Sequence, residues 1–417
     1  MSQRPRPTLV PYPGGEQLAP TEQLRQLVAF ALQADLPVAL WRLPNAAHAQ
    51  LCLSFSWEEA LTGLPPNLEA SAPSGFAFFP FRDSDHNPAL FLPANVFFDS
   101  GQPALFWVNK TGAADFRLSE LRQFLQASPD TASLRWHQSP QPAPATASLE
   151  EYTALVRRGV AAIEQGEVQK VVSSRATRQL LPPSFDALQA FEDLQARYPQ
   201  AFVSLVSAPG AGTWLGATPE VLAEVTPEGT FRTMALAGTQ PLTPGLTAQK
   251  AIWRQKEIEE QALVARYIVS CFKQLRLREY DEIGPRTVVA GELLHLRTDF
   301  AVHLRQVPFP SLGTDMLRLL HPTSAVGGMP RQAALDFLQQ YEGYDRAYYS
   351  GFLGPVNLPQ AGVARLFVNL RCMQLRPTEA ILYAGTGLTI DSDPEREWEE
   401  TELKLQTAGA VLATFNN

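Results

Sequence analysis

The stretch from Asp391 to Lys404, DSDPEREWEETELK, constrains the fold most, because it fixes where one helix begins and which charges share a face of it. Asp393 is a suitable N-cap residue, and the proline after it fits the first helical position. With about 3.6 residues per turn, Glu397, Glu400 and Lys404 lie on one side of this helix. Two carboxylates one turn apart can hold a hard divalent cation, but such a run is more often a solvated face with i,i+4 ion pairs.

A second segment carries the same pattern of charges. From Trp253 to Leu275 the apolar residues recur with a helical period, and Lys256, Glu257 and Glu260 stand in its first turns. Two glutamates again lie three residues apart. Together the two helices predict a carboxylate site with two sides, which neither helix predicts alone.

The composition predicts a globular protein with a sizeable core. The chain has 417 residues, of which 45% are hydrophobic. It has no run of about 18 apolar residues that would span a membrane, and its N-terminus lacks the apolar segment of an export signal. The net charge of −8 argues against a nucleic-acid partner, because such binding needs a basic stripe.

The cysteines give no sign of a metal centre or of disulfide bonds. Cys52, Cys271 and Cys372 are far apart, odd in number and in no CxxC pair. Neither a zinc site nor a disulfide framework is therefore indicated. With no export signal, this usage predicts a cytoplasmic protein.

One proline-rich and alanine-rich stretch divides the chain. Residues 139–147, SPQPAPATA, have no periodicity and predict a linker. Residues 1–138, which precede it, predict mixed α/β structure and contain no recognisable functional motif. Residues 148–417 after it begin with Ser148 and Glu151, which predict a capping box at the start of a helix.

Three residues with reactive side chains stand in settings that are usually structural. Lys170 lies in the strand-like EVQKVVSSR, where a lysine most often guards an edge strand or faces solvent. Glu220 follows a proline at a turn, where a glutamate is normally solvated. His295 lies among leucines, as a core histidine does. Taken one at a time, none of them predicts a catalytic site.

The C-terminal third predicts three strands ahead of the last helix. The strand-like runs cover about 349–356, 364–375 and 380–389, and Arg371 interrupts the middle one. Short connections between them predict a meander of neighbouring strands.

As an ordered set, these segments resemble the motifs of chorismate-utilising enzymes. The resemblance extends from Ser148 to the C-terminus, and many independent motifs agree in order and spacing. The segments are EVQKVVSSR, GATPEVL, ALAGT, KEIEEQ, LLHLRT, LHPTSAVGG, YDRAYYSGFLG, VNLRC, LYAGTGL and SDPEREWEETELK.

The resemblance implies an α/β fold of the α+β kind, in which large antiparallel sheets pack face to face with helices around them. The N-terminal part would be integral to that fold and not a separate domain. Among these enzymes the segments look most like isochorismate synthases, which add water at C2 of chorismate and expel the C4 hydroxyl. Such enzymes use Mg²⁺ and no organic cofactor.

The resemblance also implies which groups move protons. Lys170 matches the general base for water, Glu220 the general acid for the leaving hydroxyl, and His295 the histidine beside the ring. A lysine acts as a base only when it is partly neutral, and a glutamate acts as an acid only when it is protonated. The pair therefore needs opposite pKa displacements in one water-poor site.

The two glutamate helices would hold the metal. Glu260 and Glu400 look like the direct Mg²⁺ ligands, and Glu257 and Glu397 like a supporting carboxylate shell. Mg²⁺ prefers oxygen ligands and keeps several waters, so a few carboxylates are enough.

Further residues would hold the substrate. Arg371 resembles the residue that grips the enolpyruvyl carboxylate, and an arginine fork suits a carboxylate. Gly385 would be a backbone donor near it, and Lys404 would close the carboxylate end of the site.

The stretch Ala237, Gly238 and Thr239 also belongs to the expected substrate site. Ala237 stands where aminodeoxychorismate synthases carry a lysine that attacks the ring, so water is the expected nucleophile. No glutaminase-like cysteine motif is present, so no glutaminase subunit is expected, and a monomer is favoured.

Several alternatives stay open at this point. A salicylate synthase shares the lysine base and then eliminates pyruvate. A catalytically silent chorismate-binding subunit and a simple metal-dependent hydrolase are alternatives from other classes. The product could serve menaquinone or siderophore synthesis.

Overall fold

Two large antiparallel sheets organise the chain in the computed structural model, which describes residues 8–13, 18–55, 61–62, 68–70, 73–102, 105–108, 114–127, 131 and 133–416. The strands within these residues are β1 (Thr8–Pro11), β2 (Val38–Arg42), β3 (Gln50–Leu53), β4 (Leu61–Thr62), β5 (Gly75–Phe79), β6 (Leu90–Pro93), β7 (Val96–Asp99), β8 (Leu105–Val108), β9 (Lys170–Leu180), β10 (Phe202–Ala208), β11 (Gly212–Thr218), β12 (Val221–Val225), β13 (Thr230–Pro241), β14 (Asp281–Ala290), β15 (Leu293–His303), β16 (Gly328–Met329), β17 (Phe352–Val356), β18 (Ala364–Val368), β19 (Cys372–Leu375) and β20 (Glu379–Leu388).

The helices lie between groups of these strands along the chain. They are α1 (Pro20–Gln33), α2 (Ala114–Gln126), α3 (Leu149–Glu164), α4 (Ala187–Arg197), α5 (Gln255–Gln274), α6 (Leu312–Leu320), α7 (Arg331–Tyr341) and α8 (Pro394–Ala413). Short 3₁₀ turns occupy residues 248–250, 304–306 and 414–416. Within the described ranges, no helix is both long enough and apolar enough to cross a membrane.

The helix starts follow the sequence signals. Asp393 caps α8, because its side chain accepts the backbone N–H of Arg396. Ser148 and Glu151 form the expected capping box at the start of α3. Both predicted helix starts are confirmed.

The strand order shows how the two sheets are built. The first sheet has the order β1-β8-β7-β3-β2-β10-β11-β19-β20-β9-β16, and the second has the order β14-β15-β13-β12-β18-β17-β5-β6-β4. Neighbouring strands are antiparallel, as in the pairs β10–β11 and β17–β18. Strands that precede residue 138 extend both sheets.

The sheets face each other across an aromatic core. Trp41 and Trp214 of the first sheet and Phe76 and Phe78 of the second belong to one buried cluster. The Phe202 ring stacks on a ring of the second sheet, that of Phe367, with centroids 4.1 Å apart. These contacts confirm the prediction of large antiparallel sheets packed face to face.

Helices cover the two outer faces. A second buried cluster joins α1, α2, α4 and α8 to the first sheet, and a third joins α3, α5, α6 and α7 mainly to the second. The predicted surrounding helices are therefore confirmed as well, and α5 and α8 approach the sheets from different sides.

The stretch 139–147 has no helix or strand and runs along the first sheet. The Arg178 guanidinium donates to the carbonyls of Ala143 and Pro144, and that of Arg376 donates to the carbonyl of Gln141. The division of the chain into two parts at this stretch stays a prediction.

The predicted three-strand meander is wrong. The run 364–375 is not one strand but two, and β18 belongs to the second sheet while β19 belongs to the first. The chain changes sheet just before Arg371, whose φ of 51° breaks the extended conformation. The alternation of apolar residues that predicted the strands does not say which sheet each strand joins.

We predict that Phe78→Ala destabilises the fold by about 3–5 kcal/mol, because truncating a buried aromatic side chain leaves a cavity. Phe78 is fully buried, and its ring stacks on Tyr348 with centroids 4.0 Å apart. Urea unfolding measures the change. Phe116→Ala is the control, since that side chain is 70% exposed and its loss should change stability by less than about 0.5 kcal/mol.

Candidate active site

The candidate site lies where the chain crosses from one sheet to the other. One such crossing, between β11 and β12, carries Glu220, and another, between β18 and β19, carries Arg371. The two crossings are joined, because the Val368 N–H donates to the Glu220 carbonyl at 3.0 Å and the Ala217 N–H donates to the Arg371 carbonyl at 3.2 Å. This pairing fixes an acid and a guanidinium side by side.

Lys170 forms a buried ion pair with Glu260, which lines the pocket. Lys170 is fully buried at the start of β9, and its Nζ lies 3.1 Å from Oε1 of Glu260. The other oxygen of Glu260 accepts the Gly238 N–H at 3.1 Å. A Cβ at Gly387 would lie 2.0 Å from Glu260 Oε1 and 2.9 Å from Lys170 Cε, so only glycine leaves room for the pair.

Glu220 is buried in a way that favours its protonated form. Burial raises the pKa of its carboxyl from 4.5 to about 7, despite the opposing positive charges of Lys170, Arg371 and Lys404. A carboxylic acid with such a pKa can hold a proton near neutral pH and release it to a leaving group.

His295 is neutral, and its partners fix its tautomer. Burial and the adjacent Arg371 guanidinium lower the pKa of the imidazole to about 3. Nδ1 lies 2.8 Å from the Gly238 carbonyl, which can only accept, so Nδ1 carries the proton. Nε2 therefore accepts from Nη2 of Arg371, 3.3 Å away. His295 thus orients the guanidinium of Arg371 and is not a proton donor to a ligand.

Arg371 offers a buried donor group to a ligand. Its Nη1 has no hydrogen-bond partner in the part of the chain that the structure describes. Guanidinium groups remain charged in proteins and match carboxylates in geometry. An anion in the pocket would satisfy this unpaired nitrogen.

The charges of α8 and α5 compensate one another. Lys404 Nζ lies 2.7 Å from Glu400 Oε1 and donates to the Gly385 carbonyl at 2.8 Å. Lys256 pairs closely with Glu397 and lies 3.9 Å from Glu400. The predicted grouping of Glu397, Glu400 and Lys404 on one face is therefore observed, with Lys256 as an additional member.

The lysines decide the protonation of this group. Burial would raise the pKa of Glu400, but Lys404 and Lys256 outweigh it and hold the pKa at about 2. Burial raises the pKa of Glu397 despite the charge of Lys256. Oε2 of Glu397 is buried and has no hydrogen-bond partner among the described residues.

Glu257 is engaged elsewhere. Its carboxylate accepts the Arg254 N–H at 2.9 Å and pairs with the Arg254 guanidinium at 3.2 Å, which closes the N-terminus of α5. The Glu257 side chain also borders Gly238. A Cβ added at Gly238 would lie 3.1 Å from the Cβ of Glu257. The structure therefore brings Glu260, Glu397 and Glu400 to the site, while the Glu257 carboxylate serves the helix end.

The donor chemistry suits a hard divalent cation, although the carboxylates are now held by lysines. Within the described residues, no group of three or more His, Cys, Asp or Glu side chains is arranged to hold a metal ion. The unpaired oxygen of Glu397 and the oxygens of Glu260 and Glu400 are the ligand type that Mg²⁺ prefers. A cation would have to replace lysine ammonium groups as the partner of these oxygens.

The expected substrate stretch lies on a bulge of β13. The register of β13 with β15 shifts between Ala237 and Gln240, which turns Gly238 and Thr239 out of the regular ladder. Gly238 has a φ of 67°, so glycine is favoured there. Its N–H reaches Glu260 and its carbonyl reaches His295, as described above. The pocket is also lined by Glu220, Gly385 and Lys404.

Sequence patterns missed the buried pair Arg346 and Glu342 behind the pocket. Arg346 donates to the carbonyls of Val172 at 2.6 Å and Val326 at 2.8 Å, which both line the pocket, and it pairs with Glu342 at 2.6 Å. Glu342 also accepts the N–H of Ser174 on β9 at 2.7 Å. The pair therefore clamps β9 to the loop before β16. The only sequence signal for this pair was the i,i+4 spacing of Glu342 and Arg346, which also occurs on solvated helices.

Comparison with known proteins identifies related sequences. The family described as chorismate binding enzyme matches residues 62–413. The salicylate biosynthesis isochorismate synthase of Pseudomonas aeruginosa is 32% identical over 277 residues, which are 64% of this chain and 55% of that protein. The isochorismate synthase EntC of Escherichia coli is 28% identical over 261 residues, 61% of this chain and 65% of that protein. The matches thus span less than two thirds of either relative's length.

The fold has a counterpart among solved structures. MenF, the menaquinone-specific isochorismate synthase of Escherichia coli, superposes with a TM-score of 0.76 and 21% sequence identity. The superposition covers 98% of this chain and 94% of that one. Nearly the whole chain therefore shares one fold with MenF.

We predict that Glu220→Gln makes the ligand-free protein more stable than the wild type at pH 8 by about 3 kcal/mol, since each pKa unit corresponds to about 1.4 kcal/mol. The folded pKa of about 7 lies above the ordinary 4.5, so the folded state binds more protons and stability falls as pH rises from 4.5 to 7. The glutamine side chain does not ionise, so the variant does not lose stability over this pH range. Urea unfolding should show the advantage at pH 8 and little of it near pH 4.5.

The control for this prediction is Glu399→Gln, which changes an exposed carboxylate on α8. It should leave the pH dependence of stability as in the wild type. Equal stability of Glu220→Gln and wild type at pH 8 would contradict the protonated state of Glu220.

Proposed function

We propose, from the premise that this chain belongs to the family of chorismate-binding enzymes, that it is an isochorismate synthase. It would add water at C2 of chorismate and release the C4 hydroxyl. Both relatives described above are named as isochorismate synthases, which supports this reaction.

One observation carries the proposal: a buried lysine is paired with Glu260, which lines the same pocket as a buried glutamic acid whose protonated form is favoured. Lys170 is fully buried beside Glu260, and the pKa of Glu220 is about 7. Adding water at one carbon and expelling hydroxide from another needs one base and one acid at the same time. The two side chains are the pair that this exchange requires.

Lys170 is the proposed base for water. Its Nζ lies 3.1 Å from Oε1 of Glu260, which lines the pocket, so the amine stands within reach of a water held there.

Glu220 is the proposed acid for the leaving hydroxyl. Its proton is already present near neutral pH, so no acid has to be recruited from solvent. His295 cannot replace it, because the pKa of that imidazole is about 3 and its Nδ1–H donates to the Gly238 carbonyl.

Arg371 and Lys404 are the proposed anchors for the carboxylates of chorismate. Arg371 supplies an unpaired buried nitrogen, and Lys404, which donates to the Gly385 carbonyl, also lines the pocket. Interactions that hold substrate and transition state alike lower KM and place the ring between base and acid.

Mg²⁺ is the proposed cofactor, held by Glu260 and Glu400 with Glu397 in support. When bound, such a cation neutralises a substrate carboxylate and fixes its position. Glu257 was expected to join this shell, but its bonds at the N-terminus of α5 favour a role in holding that helix end.

We predict that purified protein with chorismate and Mg²⁺ forms isochorismate without pyruvate, and that EDTA abolishes the reaction until Mg²⁺ is restored. Chromatography of the products and a coupled pyruvate assay measure this. Stoichiometric pyruvate with salicylate would instead identify a salicylate synthase. Binding of chorismate without turnover would identify a silent binding subunit.

We predict that Lys170→Ala lowers kcat by at least about 100-fold, because general-base catalysis contributes about that much or more. The matched control is Lys273→Ala, which removes an exposed lysine near the end of α5 and should retain wild-type activity. Unchanged turnover in Lys170→Ala would overturn the assigned base.

We predict that activity falls as pH rises through about 7, where Glu220 loses its proton. A profile of kcat/KM against pH measures this limb. Glu220→Gln should be nearly inactive at every pH, since an amide cannot donate the proton.

A further inference from the structure

A second cleft opens beside the pocket and shares a wall with it. Its volume is about 1040 Å³, and its lining includes His295 and Arg371, which also line the inner pocket. Tyr198, at the end of α4, lines only this outer cleft. Arg371 thus stands between the two spaces, with Tyr198 on its outer side.

The backbone and the ring of Tyr198 are both held in place by neighbouring residues. The buried Arg42 guanidinium donates to the Tyr198 carbonyl at 2.7 Å. A Cβ at Gly291 would lie 2.7 Å from the Tyr198 ring, so the ring packs directly on this turn between β14 and β15. Arg197 lies over the ring at 5.8 Å and pairs with Glu292. The ring therefore has little freedom to move.

The Tyr198 hydroxyl is a buried donor without an acceptor. The Arg197 guanidinium approaches its oxygen, but its hydrogen has no acceptor among the residues that the structure describes, and Nη1 of Arg371 has no partner there either. The charged groups beside it include Arg197 and Arg371, and guanidinium groups cannot accept its hydrogen. Glu292, also nearby, is engaged by Arg197.

Tyr198 and Arg371 line the same cleft and influence each other's charge, and two buried donors left unpaired there are costly unless a ligand satisfies them. Leaving one buried polar group unpaired costs about 1–3 kcal/mol, so proteins retain few of them. One acceptor group between Tyr198 and Arg371 would satisfy both. A carboxylate fits, because its two oxygens can each accept a different donor.

We propose that Tyr198 is a substrate-binding residue, whose hydroxyl donates to the same carboxylate that Arg371 binds. This inference rests on the proposed function, in which that carboxylate is the enolpyruvyl group of chorismate. One N–H of Arg371 Nη2 donates to His295, whereas Nη1 has no partner among the described residues and is therefore free for the carboxylate. Tyr198 would then select for ligands that carry this second carboxylate.

The test compares Tyr198→Phe with the wild type. Losing a hydrogen bond to a charged group should weaken chorismate binding by about tenfold or more. It should raise KM by a similar factor while kcat falls far less, since the contact is equal in ground and transition states. The ligand-free melting temperature should be retained or raised, because the variant removes an unpaired group.

Two comparisons sharpen the test. Shikimate has a ring carboxylate but no enolpyruvyl group, so Tyr198→Phe should not weaken its binding by calorimetry. Tyr267→Phe is the matched control, because its hydroxyl donates to the Leu319 carbonyl at 2.7 Å, away from both clefts. It should lower the melting temperature and leave chorismate affinity unchanged.

The outcomes separate this inference from the function on which it rests. If the wild type turns over chorismate but Tyr198→Phe matches it within twofold in affinity and KM, only the role of Tyr198 is overturned. An equal loss of shikimate binding would also overturn it. If the wild type neither binds nor converts chorismate, the proposed function fails and the role of Tyr198 fails with it.

Discussion

The face-to-face packing of two antiparallel sheets is the constraint on which the site depends. The chain contributes strands to both sheets, so it must cross between them, and the crossings run through the interior. Glu220 and Arg371 stand at two such crossings, which are hydrogen-bonded to each other through Val368 and Ala217. A glutamate and an arginine that would be solvated on a surface turn are therefore desolvated together, and the pKa of Glu220 follows from that position.

The site is a set of buried charges that compensate one another without being fully paired. Lys170 faces Glu260, and Lys256 and Lys404 face the carboxylates of α8. Oε2 of Glu397 and Nη1 of Arg371 remain unpaired among the described residues. Unpaired buried polar groups reduce stability, and they provide positions at which an anion or a cation would be bound strongly. The aromatic core between the sheets and the clamp of Arg346 and Glu342 offset that cost.

Local signals predicted the elements well and their assembly poorly. Asp393 and Ser148 marked helix starts, because a cap is a hydrogen bond between residues that are close in the sequence. The alternation of apolar and polar residues located most strands, but it predicted one strand over 364–375. Alternation carries no information about which strands pair with each other. Lys170, Glu220 and His295 each looked structural alone, and only their order in a family pattern pointed to one site. Tyr198 had no such pattern, because its importance lies in an unpaired hydroxyl.

The sequence by itself determined that Asp393 caps α8 and that this helix carries Glu397, Glu400 and Lys404 on one face, because helix geometry is local. It also determined that α5 carries a matching row of charges. Only the tertiary structure decided which of these charges meet. Lys256 lies between Glu397 and Glu400, Glu260 turns to Lys170, and Glu257 turns back to its own helix end. The reason is that ion pairs between distant segments depend on how sheets and helices pack, and no local spacing encodes that distance.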